Sequence, residues 1–141
     1  MSLVQSQMRR ALTSLMVALN NNKSVRYLRL WGPKYSLFEE KGWQLFVDFM
    51  ANNSLVKLTV ARCALDNRSF HLLSNVLKHN KKLTTLLLQK NSLNDDSVCT
   101  LADDLEHNHT LRWLSLLGNR YSEETRDLLR HKLNHIKKLS V

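Results

Sequence analysis

The amino-acid sequence predicts an α/β solenoid, in which short parallel strands form a curved sheet and helices cover its convex side. An apolar-x-x-apolar-x-apolar phrase begins at Val25, Leu55, Leu83 and Leu111. These starts lie 30, 28 and 28 residues apart, and an asparagine precedes each start by three residues, at Asn22, Asn52, Asn80 and Asn108. Between the phrases, apolar residues recur at helical spacing. Such a regular period is typical of stacked repeats, whose long concave faces mostly serve binding.

One repeat, beginning at Leu83, illustrates how the strand and its turn form. Leu83, Leu86 and Leu88 point inward from a short strand, in which neighbouring side chains face opposite sides of the sheet. Asn91 then turns the chain, and its amide can bond to backbone groups of neighbouring loops that have no ladder partner. Cys63 takes this position one repeat earlier. Because a thiol bonds only weakly, we expect that repeat to be looser.

The helix of the same repeat has a recognisable start, buried face and end. Residues 94–96, Asn-Asp-Asp, supply a cap and place acids near the positive end of the helix dipole. Val98, Leu101 and Leu105 then recur on one face, which we expect to be buried. Asn108 is predicted to end the helix, because asparagine tolerates left-handed backbone dihedrals. Strands joined by helical crossovers run parallel, with right-handed connections.

The two ends are predicted to differ from the central repeats within one domain over residues 1–141. A helix over 5–21 forms an N-terminal half-repeat, and its inward residues are Met8, Leu12, Leu15, Met16 and Leu19. Residues 122–141 form a C-terminal cap, in which Ser122 starts a helix and 136–141 supply a shortened last strand. The N-terminal end has less of a cap, which leaves open whether the chain is a fragment of a longer array.

The first repeat carries two extra residues around Gly32-Pro33, so we expect its loop to bulge. Ser36 and Glu39 fit a capping box that would start the next helix. Trp43 lies on that helix and is predicted to pack on the convex side or in the core.

The repeating phrase resembles the leucine-rich repeat. Its 28-residue spacing, with a full helix in each unit, is most similar to the ribonuclease-inhibitor-like class, which includes the repeat regions of NOD-like receptors. The resemblance covers residues 10–141. It implies the horseshoe-shaped α/β fold and a binding role, but members of this family bind very different partners.

The placement of charge is more informative than the net charge of +9. All twelve acids fall in the helical halves of the repeats. The strand-bearing segments contain no Glu, and they carry Lys23, Arg26, Arg29, Lys34, Lys57, Arg62, Lys81, Lys82, Lys90, Arg112, Arg120, Lys137 and Lys138. A face of one sign attracts partners of the other sign and speeds their encounter.

Composition and cysteine usage bear on the compartment. No apolar run approaches the length needed to span a bilayer, and we find no signal-peptide hydrophobic block at the N-terminus. Two cysteines do not make a disulfide framework, so Cys63 and Cys99 are expected to be reduced, structural thiols. Such thiols fit a reducing compartment, and we expect a cytoplasmic protein.

The strand residues that alternate with the inward leucines are predicted to form three rows on the concave face. The rows are Tyr27, Lys57, Thr85, Trp113; Arg29, Thr59, Leu87, Ser115; and Trp31, Ala61, Gln89, Leu117. Aromatic side chains and arginine are frequent binding anchors, and Leu87 is expected to be exposed between them. The predicted partner-binding residues are Tyr27, Arg29, Trp31, Lys57, Arg62, Thr85, Leu87, Gln89, Lys90, Trp113 and Leu117. The alternative is that some of them pack against loops or a neighbouring unit.

Motifs for catalysis or metal binding do not stand out. We find no nucleophile motif, Gly-rich phosphate loop or paired catalytic carboxylates. His131 with His135, and His107 with His109, lack Cys or carboxylate partners at the spacing of metal ligands. We therefore expect neither an enzyme nor a metal or other cofactor.

The sequence favours a protein-interaction module that binds a partner, with an acidic surface, on its basic and aromatic concave face. Nucleic-acid binding through the same face is the first alternative, since basic grooves with aromatics hold phosphates and stack bases. A structural or self-associating segment is the second, because exposed terminal strands at Val25 and 139–141 could pair with copies of themselves.

Overall fold

A computed structural model describes residues 2–32 and 38–141, within which helices and strands alternate along the chain. The elements are α1 (Leu3–Asn20), β1 (Tyr27–Trp31), α2 (Glu40–Asn52), β2 (Lys57–Ala61), α3 (Asn67–His79), β3 (Thr85–Leu87), α4 (Asp95–Leu105), β4 (Trp113–Ser115), α5 (Glu123–Lys132) and β5 (Lys138–Ser140). The strands form a parallel sheet in the order β1-β2-β3-β4-β5. The predicted α/β solenoid is confirmed.

The register of the sheet follows the repeat period. Tyr27 lies beside Lys57, Lys57 beside Thr85, and Thr85 beside Trp113, which reproduces the intervals of the sequence phrase. The last step is shorter, because Trp113 lies beside Lys138. Equivalent residues of successive repeats therefore stand next to each other in rows across the sheet.

The core is a continuous stack of the inward leucines and the buried helix faces. Leu58, Leu86 and Leu114 are fully buried behind the sheet. Trp43 is also in the core, where its ring lies 5.0 Å from Phe38 in an edge-on arrangement, centroid to centroid. Each repeat covers its neighbour, so the stability of the fold comes from stacking rather than from any single unit.

The side-chain amide of Asn91 ties its own turn to the preceding turn, as predicted. Its Nδ2 donates to the carbonyls of Val60 at 2.7 Å and Leu88 at 3.0 Å. Its Oδ1 accepts from the backbone N–H of Cys63 at 3.0 Å and of Leu65 at 3.3 Å. These four backbone groups have no ladder partner at the end of the strands, so the side chain replaces the sheet where it stops.

Cys63 occupies the equivalent place in the preceding turn and makes a weaker version of these contacts. Its Sγ lies 3.1 Å from the carbonyl of Ala61 and 3.6 Å from that of Leu30. Burial raises the pKa of this thiol to about 11, so it stays protonated and acts as a donor. Whether this repeat is looser stays a prediction.

The asparagines after the helices act differently from what we expected. Helix α4 ends at Leu105, and Asn108 does not adopt a left-handed conformation. Its Oδ1 instead accepts from the backbone N–H of Thr110 at 2.9 Å and Leu111 at 3.0 Å, which forms a side-chain turn into the next strand. Asn80 makes the same turn one repeat earlier.

The N-terminal helix is less covered than predicted. A capping box of Ser2 and Gln5 starts α1 at Leu3. Met16 is buried, and Leu12 and Leu19 are partly buried, but Met8 and Leu15 are exposed and their predicted inward placement is wrong. The reason is that α1 packs against α2 on one side and has no repeat on its other side in the described structure.

At the C-terminal end, Ser122 caps α5 and β5 pairs with β4. The predicted bulge beyond Gly32 and the capping box from Ser36 lie outside the described residues. The structure describes Glu39, which is the N-cap residue of α2 without a capping hydrogen bond from its side chain.

Candidate functional site

The register of the sheet sets the residues of the first two predicted rows side by side across β1 to β4, and the first row extends one strand further, to Lys138. Tyr27 and Trp31 are 71% and 51% exposed at the free edge formed by β1. Arg29 lies between them on the same strand and is also exposed. A strand presents every second side chain to one side, so these three residues share one surface.

A groove of about 450 Å³ runs over β1, β2 and β3. It is lined by Tyr27, Leu28, Arg29, Trp31, Lys57, Thr59, Leu87 and Gln89. Leu87 is only 9% exposed, so the expectation that it is an exposed residue is wrong. It lies in the middle row, and it lines the groove together with Thr59, which is 5% exposed. Leu87 and the buried Thr59 therefore form the floor of the groove and expose little of their side chains.

Cations contact the tryptophans of this face. The guanidinium carbon of Arg29 lies 5.1 Å from the ring centroid of Trp31. The Nζ atoms of Lys57 and Lys138 lie 5.6 Å and 3.8 Å from the ring of Trp113, which stands between them in the first row. Such contacts contribute roughly 0.5–1 kcal/mol each at exposed sites. They favour the observed side-chain positions of these cations and rings.

The positive charge of the groove is not neutralised from within the described chain. Arg29, Lys57 and Lys138 take part in none of the ion pairs of the described residues. Those ion pairs lie on the helical side and include Arg68–Glu40, Lys78–Asp104, Arg126–Glu123, Arg130–Asp127 and Lys132–Asp103. None of the described residues that line the groove is acidic.

The remaining predicted site residues do not all join the groove. Thr85 is half-buried in the first row, between Lys57 and Trp113. Leu117 is exposed beyond the end of β4. Arg62 and Lys90 lie outside the groove, in a separate cleft at the carboxyl edge of the sheet. The single predicted surface is therefore two neighbouring surfaces.

Sequence reasoning missed three residues of these surfaces. Lys138 was not placed in the first row because the last strand follows Trp113 by 25 residues rather than 28. Extending the row by that shorter interval would have found it. Thr59 was predicted to lie in a row but not to bind a partner. Arg120 directly follows the turn asparagine Asn119, and no position of the repeat phrase indicates its role.

Across residues 2–32 and 38–141, no three His, Cys, Asp or Glu side chains gather in a way that could hold a metal ion. The histidines pair differently from the sequence pairs, because the rings of His109 and His135 lie 5.3 Å apart. His135 Nε2 is 3.1 Å from the carbonyl of Asn108. In the same described part, no helix has the length and apolar character required to cross a membrane.

Comparison with known proteins agrees with the architecture. The sequence matches no protein-family model and no curated protein. The structure is similar to a solved structure described as leiomodin-1 actin-binding site 2, with a TM-score of 0.73 over 92% of this chain and 76% of that chain. The chain has a leucine-rich-repeat type of fold. Sequence identity is 17%, so this likeness to a repeat solenoid extends to the fold and not to the binding surface.

Proposed function

We propose that this chain is a protein-interaction module whose concave groove binds an acidic segment of a partner protein. The observation that carries the proposal is the pairing of two exposed aromatic rings, Tyr27 and Trp31, with the cations Arg29 and Lys57 above the apolar floor at Leu87. Interfaces concentrate their binding energy in such aromatic and arginine anchors.

Each part of the groove has a distinct role in this proposal. An apolar side chain of the partner packs between the rings of Tyr27 and Trp31 and contacts Leu87. Carboxylates of the partner pair with Arg29 and Lys57, which have no acidic neighbour in the described chain. In this proposal the buried anchors supply most of the affinity, and the electrostatic field of the cations raises the association rate.

Further residues extend the proposed contact along the first row and past the sheet. Thr85, Trp113 and Lys138 continue the row, while Gln89 and Leu117 lie nearer the ends of the strands. Gln89 already donates from Nε2 to Ser115 Oγ at 3.0 Å, which orients its side chain. We assign these residues a supporting role, since all of them except Gln89 lie outside the lining of the groove.

Three finer statements belong to the same proposal. The 28-residue units are of the ribonuclease-inhibitor-like class, and residues 1–141 act as one binding domain. The chain works in the cytoplasm, which the free thiols of Cys63 and Cys99 support. The name of leiomodin-1 actin-binding site 2 describes binding to a protein, which supports the class of partner and makes actin a sensible first probe.

The test uses two groove variants and a matched control. Tyr27→Ala with Trp31→Ala removes the anchors, and Arg29→Glu with Lys57→Glu reverses the charge. The control, Lys81→Glu with Arg112→Glu, makes the same change in net charge with exposed cations that precede β3 and β4. Wild type and variants are used to capture partners from a native lysate, and the affinity of each purified partner, and of actin, is then measured.

We expect both groove variants to weaken binding at least about tenfold, which corresponds to about 1.4 kcal/mol, while the control keeps its affinity. Equal affinity of the groove variants and wild type would refute the site. A salt titration against single-stranded RNA tests the alternative occupant, because phosphate contacts make binding fall steeply with salt. RNA binding that is lost in the same variants would replace the protein partner with a nucleic acid.

A further inference from the structure

A second cleft, of about 430 Å³, lies at the carboxyl edge of the sheet and is separate from the concave groove. We call it the rim cleft. Its lining includes three cationic side chains, Arg62, Lys90 and Arg120, and the side chain of Ser92. None of its described lining residues is acidic.

The repeat geometry brings these cations together. Arg62 and Lys90 hold the same position in successive turns, and Gly118 holds it in the third. Adjacent strands are about 4.8 Å apart, so side chains that leave successive turns can reach one small ligand. A Cβ at Gly118 would lie 2.9 Å from Lys90 Cγ, so the glycine leaves the space that the stem of Lys90 occupies.

The charges of the rim cleft are uncompensated in the described chain. Arg62, Lys90 and Arg120 take part in no ion pair among the described residues. Their backbone N–H groups already donate to carbonyl oxygens of neighbouring turns, so a ligand would be held by the side chains. Three unpaired cations in one cleft attract an anion with more than one charge.

The backbone supports the same conclusion. Arg62 and Lys90 have left-handed φ angles of 57° and 56°, whereas the third turn uses glycine at φ 76°. A residue with a Cβ is disfavoured in this region, and glycine would relieve the strain at both positions. The chain instead carries long cations there, which places two positive side chains at the cleft.

We propose that the rim cleft binds a dianionic phosphate group, either free hydrogen phosphate or the phosphate monoester of a phosphorylated side chain. Guanidinium groups bind phosphate oxygens in a bidentate manner, and Arg62 and Arg120 supply two of them. Lys90 adds a point charge, and the hydroxyl of Ser92 can donate to a third oxygen. Because the lining differs from that of the groove, this site stands independently of the proposed protein-binding function.

The experiment follows backbone amide shifts by NMR in the full chain during titration with inorganic phosphate. A phosphoserine peptide, its serine counterpart and a dinucleotide monophosphate diester are titrated in parallel. We expect amide shifts confined to the turns at 62–64, 90–92 and 118–120. Inorganic phosphate and the phosphoserine peptide should each bind at least about tenfold more tightly than the diester or the serine peptide. A phosphopeptide that binds more tightly than phosphate identifies the source as a phosphorylated side chain, and equal affinity identifies free phosphate.

Two sets of variants complete the test. The triple substitution Arg62→Gln, Lys90→Gln and Arg120→Gln should lower phosphate affinity at least about tenfold. The control replaces Lys81, Arg112 and Lys137 with glutamine, which removes the same charge at the opposite edge of the sheet. Equal weakening by the control, shifts spread over all basic surfaces, or no shift at millimolar phosphate would each overturn the proposal.

Glycine variants guard against a folding artefact. Arg62→Gly and Lys90→Gly suit the left-handed backbone, so their melting temperatures should equal or exceed that of wild type while phosphate binding is lost. Retained binding in a folded double-glycine variant would overturn the assignment of these two side chains to the site.

Discussion

Asn91 offers a quantitative test of how the turns are held together, because the chain contains its own comparison in Cys63. The two residues occupy the same place in successive turns and are both buried. Asn91 makes four hydrogen bonds of 3.3 Å or less to backbone groups and a longer one, of 3.5 Å, to the carbonyl of Gln89, while Cys63 makes two weak contacts through sulfur. The change to alanine at each position therefore removes very different numbers of hydrogen bonds.

The expected loss of stability depends on which backbone groups lose a hydrogen-bond partner in each variant. Asn91→Ala removes its four shorter hydrogen bonds and leaves the N–H groups of Cys63 and Leu65 and the carbonyl of Val60 without this partner, while the carbonyl of Leu88 keeps the bond from Asn119 Nδ2 at 2.9 Å. At about 1 kcal/mol for each bond, the loss is about 4 kcal/mol. Cys63→Ala removes a weak donor and a small apolar volume, which costs about 1 kcal/mol.

Urea unfolding followed by circular dichroism measures both changes. A domain of this size has a free energy of unfolding of about 5–15 kcal/mol, so Asn91→Ala should remain folded at a lower midpoint. Equal destabilisation by the two alanine variants would refute the idea that hydrogen bonds from the Asn91 side chain hold the turns together. Cys63→Asn should add stability if that repeat is looser, and a loss would contradict the expectation.

Two further predictions concern a turn and a helix start. Gly118→Ala should destabilise by about 1–2 kcal/mol in urea, because φ is left-handed and the new Cβ would lie 2.9 Å from Lys90 Cγ; an unchanged midpoint would mean that the turn relaxes freely. Hydrogen bonds from Thr125 and Ser122 hold the pKa of Asp95 below its ordinary value, so the stability from its charge is present above about pH 4 and is lost as the pH falls through the lower folded pKa. Wild type should therefore be more stable than Asp95→Asn at neutral pH, and the difference should close in acid; a gap that is constant down to pH 2 would contradict the assignment.

The repeat phrase predicted the strands and their register because each strand and helix carries its own spacing of apolar residues. The inward leucines of each strand are spaced by the pleat, and the helix between two strands has its own period. A fixed interval between phrases then determines which residues stand side by side, as with Tyr27 and Lys57. The concave rows followed from these local signals, together with their aromatic and basic residues.

The errors fall where exposure depends on neighbours in space. Met8 and Leu15 fit an amphipathic helix, but the described structure provides a neighbour for one side of α1 and not for the other. Leu87 has the alternation of an exposed residue, yet it is only 9% exposed in the folded chain. The last strand follows the previous one by 25 residues rather than 28, so the repeat phrase did not predict that Lys138 lies beside Trp113.

The sequence by itself determined the solenoid, the order and direction of its strands, and the basic character of its strand side, because periodicity and charge are properties of neighbouring positions along the chain. The tertiary structure decided that Arg62 and Lys90 belong to a cleft apart from Tyr27 and Trp31, and that Leu87 is a floor. These outcomes depend on how the stacked repeats pack in space, because that packing sets the distances between side chains that lie a whole repeat apart.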